Sequence, residues 1–504
     1  MHSTTRSCFD GATVEFSWLL APPIPPGTAR QHLLYQRLRT AIVEGRIASG
    51  TRLPASRALA AELGIARNTV LHAYEQLGAE GCLVANRHGT RVATLPAREP
   101  PPAAACSGSP QSESVIALPG LSQRARAMPD AGGDPASDTL PFAVGVPDIG
   151  TFPLRAWRTC LDRAWRGASA RQLGYAPHGG EPALREALAD YLTTTRGFTL
   201  QPDQVVITSG TQGALDLCAR LLADHGDTAW IENPGYPAAR TALALAGLRL
   251  HAVPVDEEGL APGAADWHTH APRLILATPA HQYPTGRVMS LPRRLALLDG
   301  ACRSGAWLIE DDYDSEFRRA GAALPALLGL VPGAPVLYTG TFSKTLYPGL
   351  RLAYLIVPQP LAPAFVRAAG QATRPGQAIE QRALADFIRR GHYTAHLRRM
   401  RQCYAARQRE LRDALTRHPG PELAVTGGDA GLHLTLWLPP ELADYALCEA
   451  ARRLGLGPQP LSRYALASLT CNGLLLGYGN TGTEYLDAAV RRLRAAMGAI
   501  PERS

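Results

Sequence analysis

Thr341-Phe342-Ser343-Lys344-Thr345-Leu346-Tyr347-Pro348-Gly349-Leu350-Arg351 holds the only lysine of this 504-residue chain; all the other residues among its 51 lysines and arginines are arginine. A guanidinium replaces an ammonium as a surface charge, but it stays protonated and cannot attack a carbonyl as a free amine does. A lone lysine therefore marks a place where amine chemistry is needed, unless a coding bias left it by chance. Its neighbours tip that balance. Thr341, Ser343 and Arg351 set hydroxyls and a guanidinium on either side of Lys344, and a phosphate group needs such donors.

Three segments upstream answer the same need. Thr208-Ser209-Gly210-Thr211-Gln212-Gly213-Ala214 leaves an apolar run and opens a helical one. Backbone N–H groups near Thr211 and Gln212 can then meet a phosphate at the positive end of a helix. Ile309-Glu310-Asp311-Asp312-Tyr313-Asp314 ends another apolar run; a carboxylate there can pair with a protonated pyridine nitrogen, and a phenol can reach a ring oxygen. Asn233-Pro234-Gly235-Tyr236-Pro237 offers an aromatic face for a ring to stack on. Each segment has a plain alternative: a helix cap, a solvated acidic turn, a turn tyrosine. Ordered around a single lysine, they describe a site for pyridoxal 5′-phosphate, whose aldehyde a lysine amine captures as a Schiff base.

Outward from these segments, short apolar runs alternate with helical ones. Val205–Thr208, Thr228–Ile231, Leu274–Ala277, Trp307–Ile309, Val336–Tyr338 and Leu352–Val357 read as strands, with helices such as Gly213–Asp224 and Leu291–Ser304 between them. The pattern predicts a large α/β domain over 139–504, its last hundred or so residues a smaller α+β lobe. Residues 96–138, rich in Pro, Ala, Ser and Gly, read as a flexible linker. No apolar run reaches membrane-spanning length, and no export signal opens the chain. The nine cysteines form no CxxC pair, and no His/Cys cluster has metal-ligand spacing. They read as reduced thiols of a cytoplasmic protein without a metal.

The net charge of +8 is uneven: residues 28–95 carry nine arginines and four glutamates, an excess that suits a polyanion. Leu33–Glu44 reads as one helix, Arg57–Leu63 as a second, Gly64 as a turn, and Ala66 to about Ala79 as a third. Asn86-Arg87-His88-Gly89-Thr90-Arg91-Val92 reads as a tight hairpin. Two short helices across a glycine turn, then a basic hairpin, make a winged helix-turn-helix that binds double-stranded DNA. Arg67, Asn68 and Thr69 open its recognition helix, where base readers sit, whereas Arg57, Arg87 and Arg91 are placed for phosphates. Leu71, Tyr74 and Leu77 read as core.

This order resembles the DNA-binding domain of GntR-type regulators, with two departures. Gly50-Thr51-Arg52-Leu53-Pro54-Ala55-Ser56-Arg57 carries one inserted residue, and Ala66 replaces a serine before Arg67-Asn68-Thr69-Val70. Residues 140–504 resemble the fold-type I aminotransferases: a large domain with a mixed, mostly parallel sheet and a smaller α+β lobe. Asp311-x-Tyr313 stands 33 residues before Lys344, as in their regulatory branch, so nearly the whole chain resembles the MocR subfamily of GntR regulators. That resemblance implies Lys344 as the aldimine lysine, Asp311 on the pyridine nitrogen, Tyr313 on the ring hydroxyl and Tyr236 stacked on the ring. It implies Thr211, Gln212, Thr341, Ser343 and Arg351 around the phosphate, and a head-to-tail homodimer in which Tyr175 reaches the partner's phosphate. It also implies Arg463 on the carboxylate of an effector. Where aminotransferases carry Asn-Pro-Thr-Gly, this chain has His281-Gln282-Tyr283-Pro284-Thr285-Gly286. Tyr283 takes the place of the ring-contacting Asn, which leaves His281 or Gln282 to reach the ring oxygen.

Two functions follow. One is a transcriptional regulator whose aminotransferase-like domain senses pyridoxal phosphate or an amino compound through Lys344. The other is a working aminotransferase with an accessory DNA-binding domain. A scaffold that uses the enzyme fold only to dimerise has no need of Lys344. The missing Asn and the basic winged helix favour the regulator.

Overall fold

Apolar side chains three and four residues apart fold the basic N-terminal segment into helices. Helix α1 (Arg30–Val43) buries Leu34, Leu38, Ala41 and Ile42, and α3 (Arg67–Ala79) buries Val70, Ala73 and Leu77. Between them, α2 (Ser56–Leu63) stops at Gly64, which adopts φ +62° and sends the chain back. Strands β1 (Leu83–Asn86) and β2 (Gly89–Val92) pair antiparallel as the wing. The computed structural model describes residues 16–19, 29–87, 89–94, 120–126, 128, 135–175, 177–319, 325–373, 376–418, 423–428, 430–466 and 471–499. His88, in the hairpin, lies outside them. These winged-helix elements belong to the first of two units, 1–119 and 120–504. Phe16 and Leu19, ahead of the segment read from 28, also enter its core. Leu77 is in that core and Tyr74 packs on it, donating to the Pro54 carbonyl at 3.0 Å, while Leu71 is only half-buried outside the cluster. As the Ala66 substitution implies, α3 has no side-chain cap.

Within the linker read over 96–138, residues 96–119 lie outside the described set. Gly120–Arg126 and the turn at Pro135–Thr139 belong to the second unit, and Arg124 there donates to the Leu245 carbonyl at 3.3 Å.

The second unit is built on an eight-stranded sheet. Its strands are β3 (Val205–Thr208), β4 (Thr228–Asn233), β5 (Arg249–Asp256), β6 (Gly259–Leu260), β7 (Leu274–Ala277), β8 (Trp307–Asp312), β9 (Val336–Thr341) and β10 (Ala353–Ile356), in the order β3-β10-β9-β8-β7-β4-β5-β6. Strands β9, β8, β7, β4 and β5 run parallel, while β10 is antiparallel to both β3 and β9. The near-continuous apolar runs of β3 and β7 suit strands covered on both faces. One consequence places the site. Because β10 alone is reversed between them, β3 and β9 end on the same edge as β8, β7 and β4. Thr208 and Thr341 both pair with Ala353, so the two exits flank one residue. Ligands of α/β sheets bind at that carboxyl edge.

A four-stranded antiparallel sheet, β11 (Val425–Thr426), β12 (His433–Trp437), β13 (Gln459–Pro460) and β14 (Gly473–Gly477), forms the smaller lobe. Replacing Leu38 by Ala is expected to destabilise the first unit by about 2–5 kcal/mol, the cost of a fully buried leucine. Limited proteolysis then cuts within 30–92 sooner while 120–504 keeps its wild-type resistance.

Candidate functional site: a cofactor cavity and a DNA-binding face

Three strand ends and one helix start meet at a cavity of about 240 Å³. Lys344 follows β9, and Asp311 ends β8. Helix α4 (Thr211–Leu222) begins directly after β3. Nine of the residues expected to hold the cofactor line this one cavity: Thr211, Gln212, Tyr236, Asp311, Tyr313, Thr341, Ser343, Lys344 and Arg351. Val144, Gly145, Thr278, Tyr283, Asp314, Leu432 and His433 line it too. Of these, Asp314 adjoins a motif visible in the sequence. His433 comes from β12 of the smaller lobe, and nothing in its local sequence points to the site.

Lys344 Nζ donates to the Gly145 carbonyl at 2.7 Å. Burial holds its ammonium below the ordinary lysine range, against the pull of Asp314, Asp138 and Asp311, so the neutral amine is more accessible than at a surface lysine. Asp311 behaves in the opposite sense. Burial first, then Asp312, Glu232 and Asp314, push its carboxyl up to about 8, with Lys344 opposing. Among the described residues its Oδ1 is buried without a hydrogen-bond partner.

At the other end of the cavity, Gly210 caps α4 at φ +83°, and a Cβ there would lie 3.1 Å from Arg351 Nη2. The positive φ favours glycine, and a side chain there would press on the guanidinium beside the helix start, where N–H groups can meet an anion. Arg351 itself reaches the Ser209 carbonyl at 3.4 Å, and Ser343 N donates to Thr341 Oγ1 at 3.2 Å. Tyr236 meets Tyr283 edge to face at 5.9 Å, and the Tyr283 hydroxyl donates to that of Tyr464 at 3.1 Å.

The other expected residues lie outside this lining. His281 is buried behind it, its Nδ1 2.9 Å from the Tyr313 hydroxyl and 3.1 Å from each Asp314 oxygen. His281, Asp314 and His433 each bring one potential ligand atom within 4.8 Å of the others, a grouping that positions so far apart do not display as spacing. Gln282 instead donates to Glu232 and to the Pro234 and Tyr283 carbonyls. Arg463 donates to Gln459 Oε1 at 2.9 Å, and Tyr175 is 86% exposed on the single chain. In the first unit, Arg57, Arg67, Asn68, Arg87 and Arg91 are exposed and Thr69 is half-buried. Arg67 opens α3 with Nε 3.4 Å from Ser56 Oγ, and Arg91 donates to the Gly50 carbonyl at 3.0 Å.

The donor set fits pyridoxal phosphate: an unpartnered buried carboxylate oxygen for a ring cation, a lysine for an aldehyde, and arginine with a helix start for a phosphate. Fold and cavity together define a class, a winged-helix DNA-binding unit joined to a pyridoxal-phosphate-dependent unit of the fold-type I aminotransferase kind. Comparison with known proteins sharpens this. Residues 31–92 match the bacterial regulatory proteins of the gntR family, and residues 137–457 match aminotransferase class I and II. The chain is 39% identical to the probable rhizopine catabolism regulatory protein MocR of Rhizobium meliloti, over 93% of each chain. It is 33% identical to the HTH-type pyridoxine biosynthesis transcriptional regulator PdxR of Corynebacterium glutamicum, over 90% of this chain and 92% of that one. It resembles the structure of LysN, an alpha-aminoadipate aminotransferase of Thermus thermophilus complexed with N-(5′-phosphopyridoxyl)-L-leucine, with a TM-score of 0.65 and 28% identity, covering 75% of this chain and 95% of that one. The chain belongs to the MocR-type GntR transcriptional regulators, and its cofactor is pyridoxal 5′-phosphate.

Asp311 gives the cofactor-free protein a pH signature. Its folded value of about 8 lies above the ordinary 3.8, so the folded state keeps the extra proton between them, and stability falls as pH rises through that window. Asp311→Asn carries no such charge. The melting temperature of the stripped variant minus that of stripped wild type is expected to grow from near zero at about pH 4 to its largest value near pH 8. A pH-independent gap would show that Asp311 is not a buried acid.

Proposed function

We propose that this regulator senses a primary amino compound, or pyridoxal phosphate itself, at the cavity around Lys344 and relays the outcome to its winged helix. One observation carries the reading: the chain's only lysine and an unpartnered buried carboxylate oxygen line one cavity. Bound pyridoxal phosphate supplies an electron-withdrawing aldehyde that captures primary amines. Lys344 is the amine that holds it, Asp311 faces the ring nitrogen, Tyr313 serves the ring oxygen with His281 behind it, and Tyr236 stacks on the ring. Arg351, Thr341, Ser343, Thr211 and Gln212 hold the phosphate, and Arg463 grips an effector carboxylate. For the effector to regulate, it must bind one DNA-binding arrangement more tightly than another.

Sensing is favoured over turnover by Tyr283. It stands in place of the ring-contacting Asn, and its hydroxyl is engaged with Tyr464. Tyr175, exposed here, supports a homodimer in which it reaches the partner's phosphate. No helix among the described residues is long and apolar enough to cross a membrane, and the described cysteines are unpaired; we place the protein in the cytoplasm with its DNA. Arg67, Asn68 and Thr69 read bases, and Arg57, Arg87 and Arg91 hold phosphates.

Two measurements test this. Purified wild type with added pyridoxal phosphate is expected to show a visible band that Lys344→Ala lacks, and that shifts and holds on addition of one amino compound. A variant band equal to wild type overturns the role of Lys344, and steady release of the corresponding oxo-acid makes the protein an aminotransferase. In gel-shift titrations, Arg67→Ala is expected to weaken operator binding about 5- to 150-fold, the worth of a base contact, while random DNA is affected several-fold less. Equal losses on both would make Arg67 a phosphate contact.

A further inference from the structure

Behind the cavity, one hydrogen atom has too many claimants. His281 Nδ1 lies 3.1 Å from both Asp314 oxygens and 2.9 Å from the Tyr313 hydroxyl. His281 and Asp314 are each 1% exposed. A carboxylate accepts and does not donate, so the atom facing Asp314 must be Nδ1–H. The other nitrogen, Nε2, is buried with no partner among the described residues. An imidazolium would bury a second N–H there with nothing to accept it, whereas the neutral ring leaves only a bare lone pair. The arrangement is pinned from above by Gly431, at φ +72°, where a Cβ would fall 2.3 Å from Asp314 Oδ2 and from His281 Cε1.

With the proton on Nδ1, the Tyr313 oxygen can only accept from His281. Its own hydrogen must then point elsewhere, and the remaining open direction is the cavity that Tyr313 lines with Lys344 and Asp311. We propose that Asp314 is a positioning residue: by fixing the His281 tautomer it turns the Tyr313 hydroxyl hydrogen toward the oxygen of the bound cofactor ring. This rests on the assignment of Tyr313 to that oxygen under the function proposed above. It also gives His281 a task one step removed from the cofactor, through Tyr313.

The prediction has a sign that separates it from plain electrostatics. The groups facing this corner are Asp311, Asp314, Glu232, Tyr283, His433, Lys344 and Arg319. Burial keeps His433 neutral, at about 3, and its Nε2 donates to the Pro284 carbonyl at 2.9 Å. Deleting the negative charge of Asp314 would by itself make the cofactor–lysine linkage easier to deprotonate. Losing a hydrogen bond to the ring oxygen makes it harder, because the oxygen's negative charge then holds the linkage proton more tightly.

The experiment is a pH titration of the visible absorbance of the full-length holoprotein, for wild type, Asp314→Asn, His281→Ala, Tyr313→Phe and the Tyr313→Phe/Asp314→Asn double variant. Asp314→Asn is expected to raise the midpoint by about one pH unit, the worth of one hydrogen bond to a charged group. His281→Ala should raise it similarly, which keeps the test alive if Asp314→Asn does not fold. In the Tyr313→Phe background, Asp314→Asn should add no further rise. A lowered or unmoved midpoint in Asp314→Asn, or a rise that persists without the Tyr313 hydroxyl, overturns the proposal. A wild-type protein without a visible band overturns the cofactor reading itself.

Discussion

Three consecutive carboxyl side chains, Glu310, Asp311 and Asp312, are buried at the end of β8, and the surroundings of the site answer to that burden. Strand alternation sends Asp311 to one face and its neighbours to the other. Asp312 is met by Arg196, at the end of the helix Pro182–Arg196, with its guanidinium 3.2 Å from Asp312 and 3.1 Å from Glu316. The hydroxyls of Tyr338 and Ser315 also donate to Asp312. Glu310, pushed up to about 8 chiefly by burial, is met by backbone N–H groups of Leu327 and Leu328 and by the field of Arg294. Of the three, Asp311 alone has a buried oxygen with no hydrogen-bond partner among the described residues. An unpaired buried carboxylate is costly, and here it faces the lysine and the space for a cationic ring. Without the cofactor, its folded value of about 8 lets the carboxyl keep its proton and spares the interior that charge.

The reversed strand β10 is the second structural device. It lies antiparallel to both β3 and β9, so those two run the same way, and Thr208 and Thr341 both pair with Ala353. The start of α4 and the lysine loop are therefore neighbours although Gly210 and Lys344 are far apart in sequence. Arg351 completes the join by crossing back to Ser209. Sensing and DNA binding use opposite physics. The cavity gathers buried titratable groups such as Lys344 and Asp311, so single protons count there, whereas the winged helix presents exposed arginines to a solvated polyanion.

Much of the site was legible because its chemistry is local. Lys344 stood out by composition, and the loop around it, the glycine turn at Gly210 and the Asp311-x-Tyr313 pair each occupy a few adjacent residues. The strands read over Leu274–Ala277 and Val205–Thr208 and the helix over Leu291–Ser304 match the observed bounds: the strands are short apolar runs, and the helix is set between the Ser290 cap and Gly305. Strand β5 escaped notice because its half-exposed residues alternate with polar ones and include His251 and Pro254. The residues that sequence reading missed, His433 and Gly145, come from distant segments with no chemistry-bearing neighbours.

The sequence alone determined which groups the site contains and the order in which they arrive, because an amine, a phosphate cup and a ring acid each need particular residue types. It also determined the winged helix, whose helices follow from apolar spacing and whose turn follows from Gly64. Only the tertiary structure decided which groups remain unsatisfied. Asp311 is orphaned while Asp312 is paired, and His281 is locked to Asp314 rather than open to the cavity. Those outcomes depend on which faces of β8 the helices cover and on how β12 of the smaller lobe closes over the site. No local pattern encodes them, since long-range packing decides which buried polar atoms find a partner in space.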